Sequence, residues 1–327
     1  MMHVLVTRDL PGTALDRLKA VHTVELWDKD SPIPRDQLHK RLKDKDALLC
    51  LLTDKIDAET LKAAPKLRIV SNYAVGYDNV DVPACTAKGI IVTNTPGVPT
   101  DAVAEHTFAL MMAICRRIPE SDRYARAGKY KAWGPSLLLG TELKGKTLGI
   151  IGLGHIGRGV AQRAARGMEM RVLYNDVKPS ADFEKEYGAR YVDMKTLLKE
   201  SDVVTLHVPL LPTTLHLIGE DQLRMMKKGA YLINTSRGPV IDESALLRAL
   251  QERWIAGAAI DVFEHEPEIT KGLEKIDNIV LTPHTASATI EARSAMADLA
   301  VDAILDISTG KTPKNVVNPD SLGRRNV

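Results

Sequence analysis

The stretch "TLGIIGLGHIGRGVAQRAA", residues 147–165, decides the fold. An apolar run ends at Gly152; Gly152, Gly154 and Gly157 then fall in G-x-G-x-x-G spacing ahead of a segment with helical periodicity. The first glycine permits a tight turn, the second lets the backbone approach a pyrophosphate, and the third lets the helix pack closely on the strand. The helix N-terminus then offers N–H groups to the phosphates. Glycines also punctuate ordinary turns, so the reading needs context. Nineteen residues after Gly157, Asp176 closes the run "RVLYND", where a carboxylate takes the ribose hydroxyls of NAD and repels the 2′-phosphate of NADP. The plainer reading of Asp176 is a cap before "VKPS", and Lys178 softens the discrimination. NAD is the expected cofactor and NADP the alternative.

The same punctuation extends in both directions. Upstream lie "HVLVT", "TVEL", "ALLCLL", "RIVSNY" and "IIVTNT"; downstream, after "RVLYND", come "ARYV", "VVTLHVP", "AYLINT", "AAIDVF" and "NIVLTPH". Most of these runs are apolar throughout rather than alternating, which predicts parallel sheets covered by helices on both faces, an α/β architecture. Two prolines and a glycine in "TPGVPT", residues 95–100, break the pattern before a long apolar helix expected over 101–117. A second long helix is expected over about 288–307. Break and terminal helix together suggest a discontinuous first domain, 1–98 with 287–327, around a second, 99–286. Packing of the terminal helix on the second domain is the alternative.

Composition narrows the function classes. A chain of 327 residues, 44% hydrophobic and 26% charged, is long enough for two domains with proper cores. A net charge of +2 without a block of like charges argues against nucleic acid. Cys50, Cys85 and Cys115 are odd in number and form no C-x-x-C pair, so neither a disulfide framework nor a thiolate zinc site is expected. No run reaches the roughly 18 apolar residues of a membrane span, and no basic leader precedes an apolar core. A soluble cytoplasmic protein is the expectation. The nine histidines show no H-E-x-x-H spacing, so no metal is expected, and a G-x-S-x-G elbow is missing.

Three residues past predicted strands carry the chemistry: Arg237 in "INTSRGPVID", Glu266 in "DVFEHEP" and His284 in "LTPHTAS". Each belongs to the carboxyl edge of the sheet that also carries the glycine loop, where open α/β folds bind ligands. A guanidinium clasps a carboxylate in bidentate fashion and polarises a neighbouring carbonyl. A histidine beside a carboxylate is a competent proton donor to a carbonyl oxygen as a hydride arrives. Singly, each residue reads more readily as a loop, turn or solvated position. With a dinucleotide loop, they point to hydride transfer on a small 2-oxo or 2-hydroxy acid.

At this point the chain resembles the D-isomer-specific 2-hydroxyacid dehydrogenases, and within them the glyoxylate and hydroxypyruvate reductases. The motifs "SNYAVGYDNVD", "IGLGHIG", "INTSRGPVID", "AIDVFEHEP" and "LTPHTASAT" occur in the family's order, and the likeness runs from "VLVTRDLP" to "TPKNVVNP". The resemblance implies two flavodoxin- or Rossmann-like doubly wound domains with the active site in the cleft, and a homodimer built on the cofactor domains. It implies Arg237, Glu266 and His284 as the catalytic set, and the backbone N–H groups of Val75 and Gly76 on the substrate carboxylate. Its cofactor contacts map onto His155 and Ile156, Asp176, Val208 and Pro209, Thr214, Thr235 and Ser236, Asp261, and Ala286 or Ser287. Where many members carry Thr, this chain has Val103, so only a backbone contact carries over there. Similar archaeal glyoxylate reductases that prefer NADP carry Ser and Arg where Asp176 and Val177 stand here.

The substrate reading follows from what surrounds these motifs. Phosphoglycerate dehydrogenases resemble the chain but put basic residues in the loop that here reads Leu51, Leu52, Thr53, Asp54, with only Lys55 positive. Phosphite dehydrogenases need a lysine where Val75 stands. Trp133 in "YKAWGPSLLLG" either reaches a neighbouring subunit's pocket, as in similar hydroxypyruvate reductases, or packs the interdomain loop. Leu52, Trp133 and the backbone at Val75 would suit glyoxylate, hydroxypyruvate or pyruvate. From another class, the corepressors called C-terminal binding proteins are similar and sense NAD(H), which leaves a non-enzymatic role as the rival reading.

Overall fold

The computed structural model describes residues 1–324; the last three positions of the first domain expected from the sequence, 325–327, lie outside the described residues. The chain forms two compact units, one of Met1–Pro99 with the chain from Ala288 onward, the other of Thr100–Ser287.

In the first unit, β1 (His3–Val6), β2 (Thr23–Leu26), β3 (Ala47–Cys50), β4 (Ile69–Asn72) and β5 (Ile91–Thr93) form a five-stranded sheet in the order β2-β1-β3-β4-β5. Every pairing is parallel. Alternate residues of each strand serve opposite faces, which is why the runs are apolar throughout. Val4, Val6, Leu49, Ile69 and Ile91 pack with Leu15 and Leu18 of the helix Ala14–Val21 and with Val301 and Ile304 of the helix Ile290–Ser308. Their neighbours Leu5, Leu48, Val70 and Val92 turn to the other face, against Leu38, Leu42 and Leu61.

The second unit holds β6 (Thr147–Ile151), β7 (Arg171–Asn175), β8 (Arg190–Tyr191), β9 (Val203–Leu206), β10 (Tyr231–Asn234), β11 (Gly257–Ile260) and β12 (Ile279–Leu281). They form a seven-stranded sheet in the order β12-β11-β10-β9-β6-β7-β8. The chain leaves β6 toward β7 and β8, then returns to β9 on the other side of β6. The strand order thus reverses between β6 and β9, and the loops that follow these two strands border the crevice where such sheets take ligands.

Capping chemistry sets the helix ends. Asp57, Asp81, Asp193 and Asp242 each accept a hydrogen bond from the backbone N–H three residues on, a cap that contributes about 1 kcal/mol. Thr289 does the same with Ala292, so the terminal helix runs over Ile290–Ser308 rather than from 288. The helix expected over 101–117 spans Thr100–Cys115, and Arg117 turns the chain with a left-handed φ of 53°. Asp176 lies one residue beyond β7. Among the described residues no helix is long and apolar enough to cross a membrane.

Candidate active site

The glycine loop follows β6, and each glycine has a distinct constraint. Gly152 has a left-handed φ of 94°, and a Cβ there would stand 2.7 Å from the carbonyl oxygen of His207 and 2.9 Å from Val208 Cγ1. A Cβ on Gly157 would stand 2.1 Å from the carbonyl oxygen of Gly152, so only glycine lets the helix His155–Gly167 start this close to β6. Around Gly154 a Cβ would meet nothing within 4 Å. Gly154 is also the N-cap and supplies no side-chain acceptor, which leaves the helix amides at His155 and Ile156 for an anion. A tight turn, open space at the second glycine and an uncapped N-terminus together fit a dinucleotide pyrophosphate.

Asp176 stands beside this loop. Its Oδ2 accepts from the N–H of Leu153 at 2.6 Å and its Oδ1 from the N–H of Val177 at 2.6 Å. A carboxylate oxygen has two acceptor sites, so each retains one for a ribose hydroxyl. The bond to Val177 is to the adjacent residue and is no helix cap, since Ser180 is the N-cap of the helix Ala181–Tyr187 that follows. Across the strand-order reversal, the Thr214 hydroxyl donates to the carbonyl of Pro209 at 2.7 Å and accepts from the N–H of Leu211 at 2.8 Å, bracing the turn after Val208.

Arg237, Glu266 and His284 follow β10, β11 and β12 respectively. Glu266 and His284 meet: Nδ1 of the imidazole lies 2.9 Å from Oε2 and 3.2 Å from Oε1. An ionised carboxylate only accepts, so Nδ1 carries the hydrogen and Nε2 is not engaged by Glu266. Glu266 Oε1 is steadied by the N–H of Phe263 at 3.1 Å. Arg237 donates from Nη1 to the carbonyl of Ser236 at 2.8 Å. A Cβ on Gly238 would fall 1.9 Å from the carbonyl carbon and oxygen of Phe263. The glycine after the arginine thus lets its backbone press against the segment that leads to Glu266.

Asp261, fully buried at the end of β11, holds the histidine's turn. Its carbonyl accepts from the N–H of His284 at 2.8 Å. Its Oδ1 takes the Thr282 hydroxyl at 2.6 Å and the N–H of Thr285 at 2.8 Å, and its Oδ2 the N–H of Ala286 at 2.8 Å. Burial pushes the Asp261 carboxyl up, but the bonds from His106, Thr282, Thr285 and Ala286 outweigh it and hold the group below the usual carboxylate range. Asn234 organises the arginine's segment, accepting from the N–H and hydroxyl of Ser236 at 3.0 and 2.8 Å. Ser287 is the last residue of this unit.

The sequence reading missed three contacts here. His106, on the helix Thr100–Cys115, lies 3.2 Å from Thr282 Oγ1, and its neighbour Thr107 lies 2.9 Å from Thr235 Oγ1. A histidine inside a largely apolar helix was the available signal for the first. His216 Nε2 lies 2.6 Å from Glu264 Oε1, a pair separated by 48 residues that no local pattern announces.

In the first unit, Val75 and Gly76 follow β4 and are partly exposed, as is Leu52 after β3. Asp54 Oδ2 accepts from the N–H of Leu51 at 2.8 Å and from the Thr7 hydroxyl, which closes the turn. Lys55 leaves that turn with its side chain 76% exposed. Trp133 is 79% exposed, so it packs no loop, contrary to one of its two sequence readings.

Comparison with known proteins agrees with this geometry. The family model "D-isomer specific 2-hydroxyacid dehydrogenase, NAD binding domain" matches residues 108–286. A glyoxylate reductase from Korarchaeum cryptofilum is 52% identical over 319 residues, 97% of this chain and 96% of its own length. One from Thermococcus litoralis is 49% identical over 323 residues, 98% and 97% of the two chains. Among solved structures, the TT0316 protein of Thermus thermophilus superposes with a TM-score of 0.91 at 43% identity, covering 97% of this chain and 100% of its own. The NADPH-dependent glyoxylate/hydroxypyruvate reductase of Sinorhizobium meliloti, in complex with NADP and malonate, gives 0.86 at 31% identity and 99% coverage of both. The chain belongs to the D-isomer specific 2-hydroxyacid dehydrogenases, and is an NAD(P)-dependent oxidoreductase of 2-oxo acids.

Proposed function

We propose that this enzyme reduces glyoxylate, and hydroxypyruvate as a second substrate, to the corresponding 2-hydroxy acid, with NADH preferred over NADPH. The observation that carries the chemistry is the contact of His284 Nδ1 with Glu266 at 2.9 Å, because it commits one ring nitrogen and leaves Nε2 to deliver a proton. A dinucleotide held by the glycine loop and Asp176 would supply the hydride for the carbonyl carbon. His284 Nε2–H gives its proton to the carbonyl oxygen, and Glu266 stabilises the imidazolium before transfer and orients the ring throughout. Arg237 polarises the carbonyl and meets the carboxylate, and the N–H groups of Val75 and Gly76 are assigned to the same carboxylate.

The substrate assignment draws on relatives named glyoxylate reductase at 52% and 49% identity. It also draws on the turn after β3, whose one cation, Lys55, is 76% exposed and lies 3.9 Å from Asp57 Oδ2, which disfavours a phosphorylated acid. The preference for NADH rests on Asp176, whose charge opposes a 2′-phosphate. Work in the cytoplasm as a homodimer completes the reading, supported by three buried thiols and by the exposure of Trp133.

The test compares kcat/KM for glyoxylate, hydroxypyruvate, pyruvate and phosphohydroxypyruvate with each coenzyme. Highest values for the first two with NADH are expected. A preference for phosphohydroxypyruvate would replace the substrate assignment, and a preference for NADPH would leave Asp176 to its backbone contacts alone. NADH binding without turnover of any oxo acid would favour a cofactor-sensing role.

A further inference from the structure

Three successive carbonyls after β4 are each tied down. That of Ala74 accepts from the N–H of Thr95 at 2.8 Å, that of Val75 from Asn94 Nδ2 at 2.7 Å, and that of Gly76 from Asn72 Nδ2 at 2.9 Å. In a trans peptide, the carbonyl of one residue and the N–H of the next point in opposite directions. Tying these carbonyls therefore aims the N–H groups of Val75, Gly76 and Tyr77, and none of the three meets an acceptor among the described residues.

The asparagines are themselves fixed. Asn72 is fully buried, and its amide exchanges contacts of 3.3 and 3.2 Å with that of Asn79. Asn79 Nδ2 in turn donates to the carbonyls of Leu51 and Asp54 at 3.1 and 3.0 Å, joining the turn after β3 to the same network. Asn94 is anchored through its backbone, whose N–H donates to the carbonyl of Asn315 at 3.4 Å and whose carbonyl accepts from the Asn315 side chain. Amides committed in this way, that of Asn72 fully buried, define one geometry for the donors they orient.

We propose that Asn94 and Asn72 are positioning residues that hold the N–H groups of Gly76 and Tyr77 toward the substrate carboxylate, so that Tyr77 joins Val75 and Gly76 as a third backbone donor. A carboxylate has about four acceptor sites and can take all three. The identity of the anion as a 2-oxo acid rests on the function proposed above; the aiming of the donors does not. Loss of a donor that acts equally on bound substrate and transition state raises KM and leaves kcat nearly unchanged.

The test uses the full chain with NADH bound and oxamate, an unreactive carboxylate, as the probe. Asn94→Ala should raise the oxamate Kd and the glyoxylate KM together by about tenfold, the equivalent of about 1.4 kcal/mol, with kcat and the NADH Kd changed less than about twofold. Asn94→Asp keeps the shape but lacks the donor, and should behave as the alanine variant does. Should alanine prevent folding, the aspartate and Asn94→Ser variants give the same reading, with Tm recorded for each. An oxamate Kd unchanged in folded variants overturns the positioning role, and wild type that binds no oxamate overturns the anion site. Wild type that shows the expected loss of oxamate binding on substitution, yet turns over no 2-oxo acid, overturns the substrate reading alone.

Discussion

His284 holds a backbone conformation, φ of 52°, that a side chain other than glycine adopts uncommonly. Asp261 maintains it, by accepting the histidine's own N–H and by taking the donors on both sides with its carboxylate. Strain of this kind persists only where the surroundings over-determine it. Asp261→Asn would set an NH2 against one of those donors and let the turn relax. Since a displacement of about 1 Å can cost about 100-fold in rate, kcat should fall by about that factor while the far-UV spectrum stays native. A kcat within about twofold of wild type would show that the turn holds itself. Asp176 has a different task at the same scale. Asp176→Ala removes the bonds to Leu153 and Val177 and the charge proposed above to set the coenzyme preference. The NADH to NADPH ratio of kcat/KM should drop by about tenfold, roughly the weight of one charge-assisted hydrogen bond. An unaltered ratio would assign Asp176 to the backbone alone.

At the level of elements, the glycines decide which loops can meet. Gly238→Ala would drive a Cβ to 1.9 Å from the Phe263 backbone, and backbone cannot give way as a flexible side chain can. The segments bearing Arg237 and Glu266 must separate, with a cost of about 1–3 kcal/mol in stability and loss of most activity. Thermal unfolding and turnover of this one variant check both, and wild-type values for either would mean that the segments need not touch. The strands themselves were legible in advance. All twelve runs read from the sequence are strands; most are parallel strands buried on both faces, which leaves an apolar run, whereas β2 and β8 lie at the sheet edges and are largely exposed or half-buried. Helix ends were less legible, since Thr289 starts the terminal helix through its hydroxyl, a contact that periodicity does not record. The contact of Glu266 with His284 was foreshadowed because each residue follows a strand at the same sheet edge. Asn94 on Val75 and His106 on Thr282 were not, because such contacts join elements whose packing no local pattern specifies.

For the whole molecule, the cysteines and the exposed apolar side chains make opposite statements. Burial pushes the Cys85 and Cys115 thiols up to about 12 and Cys50 well above its ordinary value, so none forms a thiolate near neutrality. Native protein at about pH 8 should therefore react with no thiol reagent on the timescale on which unfolded protein yields three thiols. Rapid native labelling of even one would mean that a core opens readily. In contrast, Tyr130, Trp133 and Leu139 are 57%, 79% and 65% exposed within one ten-residue stretch of the second unit. Large apolar side chains crowded on one stretch are characteristic of association surfaces, and aromatic anchors dominate the energetics of such surfaces. If this stretch joins two copies, light scattering should give twice the chain mass of 35.9 kDa. Trp133→Arg would then place a charge in the contact and shift the protein to monomer on dilution. A wild-type mass equal to one chain would leave these side chains without a partner and remove the homodimer from the proposed function. A dimer untouched by Trp133→Arg would locate the contact elsewhere.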